Sequence, residues 1–87
     1  MPARKRIVFK KHARERMIER RITNDEVVKT IEQGVKINEL ERTRAIYKTE
    51  KEKFITVLYI EQRKCYVIQT AFESGKTDID LYRRLKR

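Results

Sequence analysis

The single histidine of the chain, His12, lies in the stretch KHARERMIERRI, residues 11–22, among closely spaced arginines. On a helix, His12 and Arg16 are one turn apart and point in the same direction, and Arg20 follows one turn later. A ridge of this composition can present an imidazole and a guanidinium to one phosphate group. Two interpretations of His12 stay open at this point: a catalytic imidazole, and a solvated histidine near the start of a helix.

The residue types exclude several other chemistries. One histidine and one cysteine, Cys65, cannot supply the ligands of a zinc site. Asp78 and Asp80 form a DxD pair, which capping of a last helix would explain. Ser74 is the only serine and lies in no nucleophile elbow, and the chain has no glycine-rich phosphate loop. We therefore expect no metal and no cofactor, which leaves metal-free chemistry on RNA, where the 2′-OH is the nucleophile.

The excess positive charge lies at the two ends of the chain. Residues 1–21 contain nine Lys or Arg and two Glu, residues 22–75 contain nine residues of each sign, and residues 76–87 contain five basic residues and two Asp. The net charge of +10 therefore belongs to the ends, which indicates a polyanionic partner such as RNA. Solubility and a frayed basic tail are the alternative explanation. The candidate phosphate contacts in these ends are Lys11, Arg83 and Arg84.

The length and composition favour one small domain, residues 1–87. No apolar run is long enough to span a membrane, and the N-terminus lacks the apolar segment of a signal peptide. Cys65 has no partner for an internal disulfide and lies in a strand-like run. We therefore predict a buried thiol in a reducing, cytoplasmic protein.

A helical hairpin is predicted over residues 12–33. Its first helix lacks glycine and proline, and Ala13 and Met17 lie one turn apart as its core-facing residues. The chain is expected to turn near residues 21–24, where the second helix begins.

Local signals delimit the second helix, Asn24–Gln33. Thr23 and Glu26 have the spacing of a capping box, in which each side chain accepts a hydrogen bond from the backbone of the other residue. Gly34 follows the last helical residue and is expected to end the helix in the left-handed conformation.

The rest of the chain predicts an antiparallel meander and a basic C-terminal segment. Residues 35–72 contain about four runs rich in β-branched and aromatic residues, separated by short charged turns. With the hairpin on one face of this sheet, the pattern predicts an α+β fold. Residues 1–11 form a basic lead, in which residues 7–9 are either an edge strand or the approach to the first helix. Residues 76–87 are a short basic helix, capped by Thr77 or Asp78, or a basic tail.

The opening of the first helix has the pattern H-A-x-x-R-M-x-x-R-x-I, from His12 to Ile22. A T-x-x-E helix start and the strand VIQTAF, residues 67–72, follow. Over about residues 10–73 the chain resembles a small prokaryotic family, domain of unknown function 4258, whose members end in V-I-T-A-Y/F without the inserted Gln69. That family is similar to the barnase–EndoU–colicin–RelE group of small ribonucleases. The resemblance implies N-terminal helices packed on a four-stranded antiparallel sheet.

The resemblance also implies site residues from the helix region and from the last strand. By position it implies that His12 is the acid–base group. It also implies that Arg16 and Arg20 bind the phosphate and that the Thr70 hydroxyl orients it. Tyr66 is added because alternate strand residues share one face, provided that the inserted Gln69 does not change the face of Thr70. An ion pair of Arg20 with a sheet glutamate, and ordinary strand roles for Thr70 and Tyr66, are the structural alternatives.

Three hypotheses for the function follow. The first is a metal-independent, RelE-like endoribonuclease that cleaves RNA by 2′-OH attack and pairs with an acidic antitoxin-like protein. The second is a non-catalytic basic module that binds RNA or a protein. The third is a structural protein that forms homodimers through an exposed sheet edge.

Overall fold

The computed structural model describes residues 5–86, so residues 1–4 and 87 of the two basic ends lie outside the described part. The described residues form an α+β fold of five strands and three helices, as the sequence predicted in outline. In chain order these elements are β1 (Arg6–Phe9), α1 (Lys11–Arg20), α2 (Asn24–Gln33), β2 (Val35–Asn38), β3 (Thr43–Lys48), β4 (Phe54–Glu61), β5 (Cys65–Glu73) and α3 (Lys76–Leu85).

The sheet is mixed and has the strand order β1-β5-β4-β3-β2. Strands β2 to β5 form the predicted antiparallel meander. The edge strand offered as one alternative for residues 7–9 is confirmed as β1. Because β1 adds a fifth strand that runs parallel to β5, the prediction of an antiparallel sheet of about four strands is corrected to a mixed sheet of five. Within this strand Ile7 and Phe9 pack against the core, while Arg6 and Val8 are exposed. Because β1 has only four residues, its alternation of polar and apolar side chains does not distinguish a strand from an irregular segment before α1.

The helical hairpin is confirmed. Different local interactions end its first helix and begin its second. Arg21 ends α1 in the left-handed conformation, with φ 56°, so that the Ile22 amide donates to the Met17 carbonyl at 2.8 Å. The capping box at the start of α2 is present in both directions. The Glu26 amide donates to Thr23 Oγ1 at 3.1 Å, and the Thr23 amide donates to Glu26 Oε1 at 2.9 Å.

The prediction that Gly34 adopts the left-handed conformation is wrong. Its φ of −73° and ψ of 165° are ordinary extended values that any residue adopts. Glycine is required here for space, because a Cβ atom would lie 2.4 Å from the carbonyl oxygen of Thr30 and 2.7 Å from that of Ile46. The end of α2 therefore packs its backbone directly on β3, a close approach that only glycine permits.

The main core lies between α1, α2 and one face of the sheet. It is formed by buried apolar side chains of the two helices, of the turn between them and of β3, β4 and β5: Ala13, Met17, Ile22, Val27, Ile31, Ala45, Ile55, Val57, Tyr59, Ile68 and Ala71. The Tyr59 ring meets the Tyr66 ring edge to face, at 5.4 Å between centroids. Burial, with the nearby charge of Glu61 as a smaller cause, raises the pKa of the Tyr59 hydroxyl to about 12.

The C-terminal segment is a helix rather than a tail, and α3 packs on the opposite face of the sheet. The ring of Tyr82 contacts that of Phe54 edge to face, at 5.4 Å between centroids. The prediction of Thr77 or Asp78 as the cap is wrong, because Gly75 is the N-cap and no side chain caps the helix. Asp78 is instead 7% exposed and anchors α3 to the sheet.

A polar cluster surrounds Asp78 beneath α3. Arg44 Nη1 donates to both carboxylate oxygens of Asp78, at 3.2 and 3.0 Å, and Thr56 Oγ1 donates to Asp78 Oδ2 at 2.8 Å. Ser74 Oγ lies 2.7 Å from Thr56 Oγ1, and Arg44 Nε donates to Glu39 at 2.7 Å. The hydrogen bond from Arg44 is the largest cause of the lowered pKa of the Glu39 carboxyl. The cluster joins β3, β4 and α3 with the segments that directly follow β2 and β5.

Candidate nucleic-acid interface

Helix α1 places the predicted basic residues on an outward ridge. Ala13 and Met17 are 0% and 4% exposed and point into the core, as predicted, so the remaining sides of the helix face solvent. His12, Arg16 and Arg20 are exposed at successive turns along one flank, and we call them the α1 ridge. The structure therefore brings together the histidine and the two arginines that the spacing had placed on one side.

Most cations of the α1 segment have no carboxylate partner. Within residues 5–86, no carboxylate lies within 4.0 Å of the charged groups of Lys10, Lys11, Arg20 or Arg21. Arg16 has only an exposed contact, 3.6 Å from Glu19, and a pair of this kind contributes little. The alternative of a structural ion pair between Arg20 and the sheet is therefore wrong for the described residues. The positive charge along α1 is available to an external anion.

Four of the nine cations of residues 22–75 lie within 4.0 Å of a carboxylate. Lys29 lies 3.6 Å from Asp25, Arg42 lies 2.9 Å from Glu39, and Lys48 lies 3.5 Å from Glu52. Each of these pairs joins residues three or four positions apart, as on a solvated surface. The middle segment pairs a larger share of its cations with carboxylates than α1 does and carries no net charge, which makes α1 the better candidate for binding a polyanion.

Thr70 does not share a face with Tyr66, so that interpretation of the strand is wrong. The register between β4 and β5 pairs Leu58 with Thr70 but Tyr59 with Ile68, which leaves Gln69 as an extra residue in a β-bulge. The insertion that the motif revealed therefore reverses the alternation along β5. Tyr66 lies on the face covered by α1 and α2, whereas Thr70 lies on the face that α3 partly covers.

Tyr66 packs against other side chains on the face of the sheet that α1 and α2 cover. Its ring contacts the ring of Tyr59 and lies 5.2 Å from Lys5 Nζ, and Lys5 in turn forms a 2.5 Å ion pair with Glu61. The hydroxyl has no hydrogen-bond partner among the described side chains. The structure thus separates Thr70 from the α1 ridge by the thickness of the sheet and leaves Tyr66 in a half-buried aromatic cluster.

The two candidate arginines near the C-terminus lie on the far side of the sheet from α1. Arg83 and Arg84 are exposed residues of α3, and the guanidinium of Arg83 lies 5.9 Å from the centre of the Phe54 ring. The two basic segments are therefore displayed on opposite faces. A single short RNA segment on the α1 ridge has no direct path to Arg83 and Arg84.

Sequence reasoning missed a second pairing of an arginine with an aromatic ring, on α1 itself. The guanidinium of Arg14 lies over the ring of Phe9, with 4.7 Å between its central carbon and the ring centre. No pattern in the sequence pointed to it, because the contact depends on β1 being a strand beside α1. Cys65, predicted to be buried, is partly exposed at the start of β5 and donates to Gln62 Oε1 at 3.4 Å.

The described residues contain no group of three His, Cys, Asp or Glu side chains placed to hold a metal ion. In the same part of the chain, no helix has the length and apolar character needed to cross a membrane.

The fold and the ridge together define a small, basic α+β protein whose helical hairpin covers one face of the sheet and presents cations outward. The chain belongs to the family described as Domain of unknown function (DUF4258), whose model matches residues 9–73. That span contains α1, the bulged strand β5 and everything between them, and it ends before α3. Searches of curated proteins and of solved structures gave no match to the chain.

Proposed function

We propose that this protein binds RNA, with the phosphate backbone contacting the exposed cations of α1. The observation that carries the proposal is the set of exposed α1 cations without carboxylate partners, held outward because Ala13 and Met17 anchor the helix to the core. Such cations gain affinity for a polyanion by releasing its condensed counterions. The choice of RNA rests on the resemblance to the small ribonuclease group of the family that shares the His12-to-Ile22 motif. A cytoplasmic location, which suits the free thiol of Cys65, is part of this proposal.

The salt dependence of RNA binding tests the location of the contacts. In the double variant Lys11→Gln/Arg20→Gln, we expect the magnitude of the negative slope of log K against log salt to decrease by about 1.4. Each phosphate contact on a single strand contributes about 0.7 to that magnitude. The measurement is fluorescence anisotropy with a labelled RNA oligomer at several salt concentrations. A DNA oligomer of the same sequence, titrated in parallel, tests the preference for RNA.

The matched control removes two cations that already have carboxylate partners. Lys29→Gln/Lys48→Gln changes the net charge by the same amount, and we expect it to leave the slope nearly unchanged. Equal losses in the two double variants would mean that RNA responds only to net charge, which would contradict a contact surface on α1.

A second candidate function, RNA cleavage, is favoured by the position of His12 beside Arg16. The two side chains are exposed one turn apart, so that both can reach one phosphate. In this reaction His12 takes the proton of the 2′-OH while that oxygen attacks phosphorus. Arg16 stabilises the phosphorane, and the bond to the 5′-oxygen breaks as water protonates that oxygen. The products are a 2′,3′-cyclic phosphate and a 5′-hydroxyl. An acidic antitoxin-like protein is the partner that this candidate implies.

Incubation of mixed RNA with the protein in excess EDTA tests the cleavage candidate. It predicts 2′,3′-cyclic phosphate ends that disappear in His12→Ala, while binding and the circular dichroism spectrum of the variant stay close to those of the parent. RNA that is bound but remains intact would reject cleavage of free RNA and leave binding as the function. Cleavage that persists in His12→Ala would reject the assigned role of His12.

A further inference from the structure

A strip of three side chains runs along the other flank of α1. The Arg14 guanidinium lies 4.7 Å from the centre of the Phe9 ring, and Ile18, one turn after Arg14, is 78% exposed. At about 100° per residue, Arg14 and Ile18 lie on the opposite side of the buried Ala13 and Met17 stripe from His12 and Arg16. We call Phe9, Arg14 and Ile18 the stacking strip.

The contact with Phe9 restricts the orientation of an otherwise mobile side chain. A guanidinium is planar, weakly hydrated on its faces and suited to stacking on aromatic rings. Arg14 is an exposed residue, so its side chain is also accessible to a ligand from solvent. Within residues 5–86 no carboxylate lies within 4.0 Å of this group, so its charge is not neutralised internally. The Arg14 guanidinium is therefore a planar cation that contacts an aromatic ring and stays accessible to a ligand.

Ile18 and two further cations belong to the same segment of the chain as Arg14. An isolated exposed isoleucine is ordinary, but Ile18 continues the apolar surface by one helical turn beside Arg14. Two further cations, Lys10 at the start of α1 and Arg21 at its end, are exposed. The strip thus offers an apolar and planar surface to one nucleobase, and the cations at the two ends of α1 can contact phosphates of the same strand.

We propose that the stacking strip binds an unpaired nucleobase, so that the protein recognises single-stranded RNA through base stacking as well as through charge. This inference rests on the proposed function and deepens it by naming the class of RNA. Bases stack on aromatic and guanidinium planes without strict sequence preference. A paired base in a duplex has no free face, so duplex RNA retains only the phosphate contacts.

The test compares a uridine oligomer with an abasic ribose-phosphate oligomer of the same length, using the full chain. We expect the uridine oligomer to bind about tenfold more tightly, the size of one stacked base. Arg14→Lys keeps the charge but loses the planar group. We expect this variant to bring the ratio of the affinities for the two oligomers close to one. The affinity for the abasic oligomer and the salt slope should stay unchanged. Ile18→Ser is expected to lower the ratio by about threefold.

Arg83→Lys is the matched control, because Arg83 also lies over a phenylalanine ring but belongs to α3 on the other face. We expect it to leave the ratio unchanged, and an equal loss in this variant would overturn the assignment to α1. Equal binding of both oligomers by the parent protein would overturn the stacking strip while leaving the proposed function intact. Failure to bind either oligomer would overturn the proposed function itself.

Discussion

Replacing Gly34 with alanine is expected to lower the free energy of unfolding by about 3 kcal/mol. The added methyl group would lie 2.4 Å from the carbonyl oxygen of Thr30 and 2.7 Å from that of Ile46. Both obstacles are backbone atoms, one in α2 and one in β3, so neither can rotate away as a side chain would. Relief requires the end of α2 to move off the sheet, which also loosens the core under Ile31. Denaturant unfolding followed by circular dichroism measures the loss.

Gly75→Ala is the matched control for this experiment. It adds the same methyl group at the only other glycine, where no atom lies within 4 Å of the new carbon. Gly75 is the N-cap of α3, so we expect a loss of less than about 1 kcal/mol, from weaker capping alone. Similar losses at the two positions would show that close packing is not the reason for glycine at position 34.

Asp78→Ala is expected to lower the free energy of unfolding by a comparable amount, about 3 kcal/mol. The variant removes the acceptor of two hydrogen bonds from Arg44 and of one from Thr56. Arg44 keeps its contact with Glu39, at 2.7 Å, so the guanidinium is not left wholly unpaired. Thr56 is fully buried and retains only Ser74 as a partner. The loss therefore combines unsatisfied polar groups with the detachment of α3 from the sheet.

The control for Asp78 is its neighbour Asp80, an exposed residue of the same helix with the same charge. We expect Asp80→Ala to change the free energy of unfolding by less than about 0.5 kcal/mol. Equal effects of the two variants would indicate that the helix responds to charge near its N-terminus, not to the buried cluster. Since α3 lies on the face opposite α1, RNA binding by folded Asp78→Ala should equal that of the parent.

The features that could be predicted from sequence depend on neighbouring residues. The capping box needs only Thr23 and Glu26, three positions apart, and it is present as predicted. The buried stripe of Ala13 and Met17 follows from helical periodicity within a single element. The strands β2 to β5 follow from apolar runs divided by short turns, which favour antiparallel neighbours.

The features that could not be predicted depend on contacts distant in sequence. Arg44 and Asp78 are separated by 34 positions, so the sequence suggested a capping role for Asp78 rather than a buried partner. The parallel pairing of β1 with β5, and the position of Arg14 over Phe9, likewise exist only after the sheet has assembled. Local patterns carry no information about such pairings.

The candidate site was predicted in part. His12, Arg16 and Arg20 lie together because one helix carries them, whereas Thr70 depends on strand alternation that a single bulge reverses. The insertion of Gln69 was visible as a departure from the family motif, but its effect on the facing of Thr70 required the register with β4. Ribonuclease activity, an acidic partner and dimerisation through a sheet edge stay predictions.

The most direct test of the central claim is a backbone-amide NMR titration of the ¹⁵N-labelled protein with a uridine oligomer. Binding along α1 predicts that the largest chemical-shift changes occur in residues 10–21, with little change in α3. Changes centred on Thr70 and the face that α3 partly covers would contradict this account and place the RNA on the other side of the sheet. Spectra that do not change at any RNA concentration would contradict RNA binding altogether.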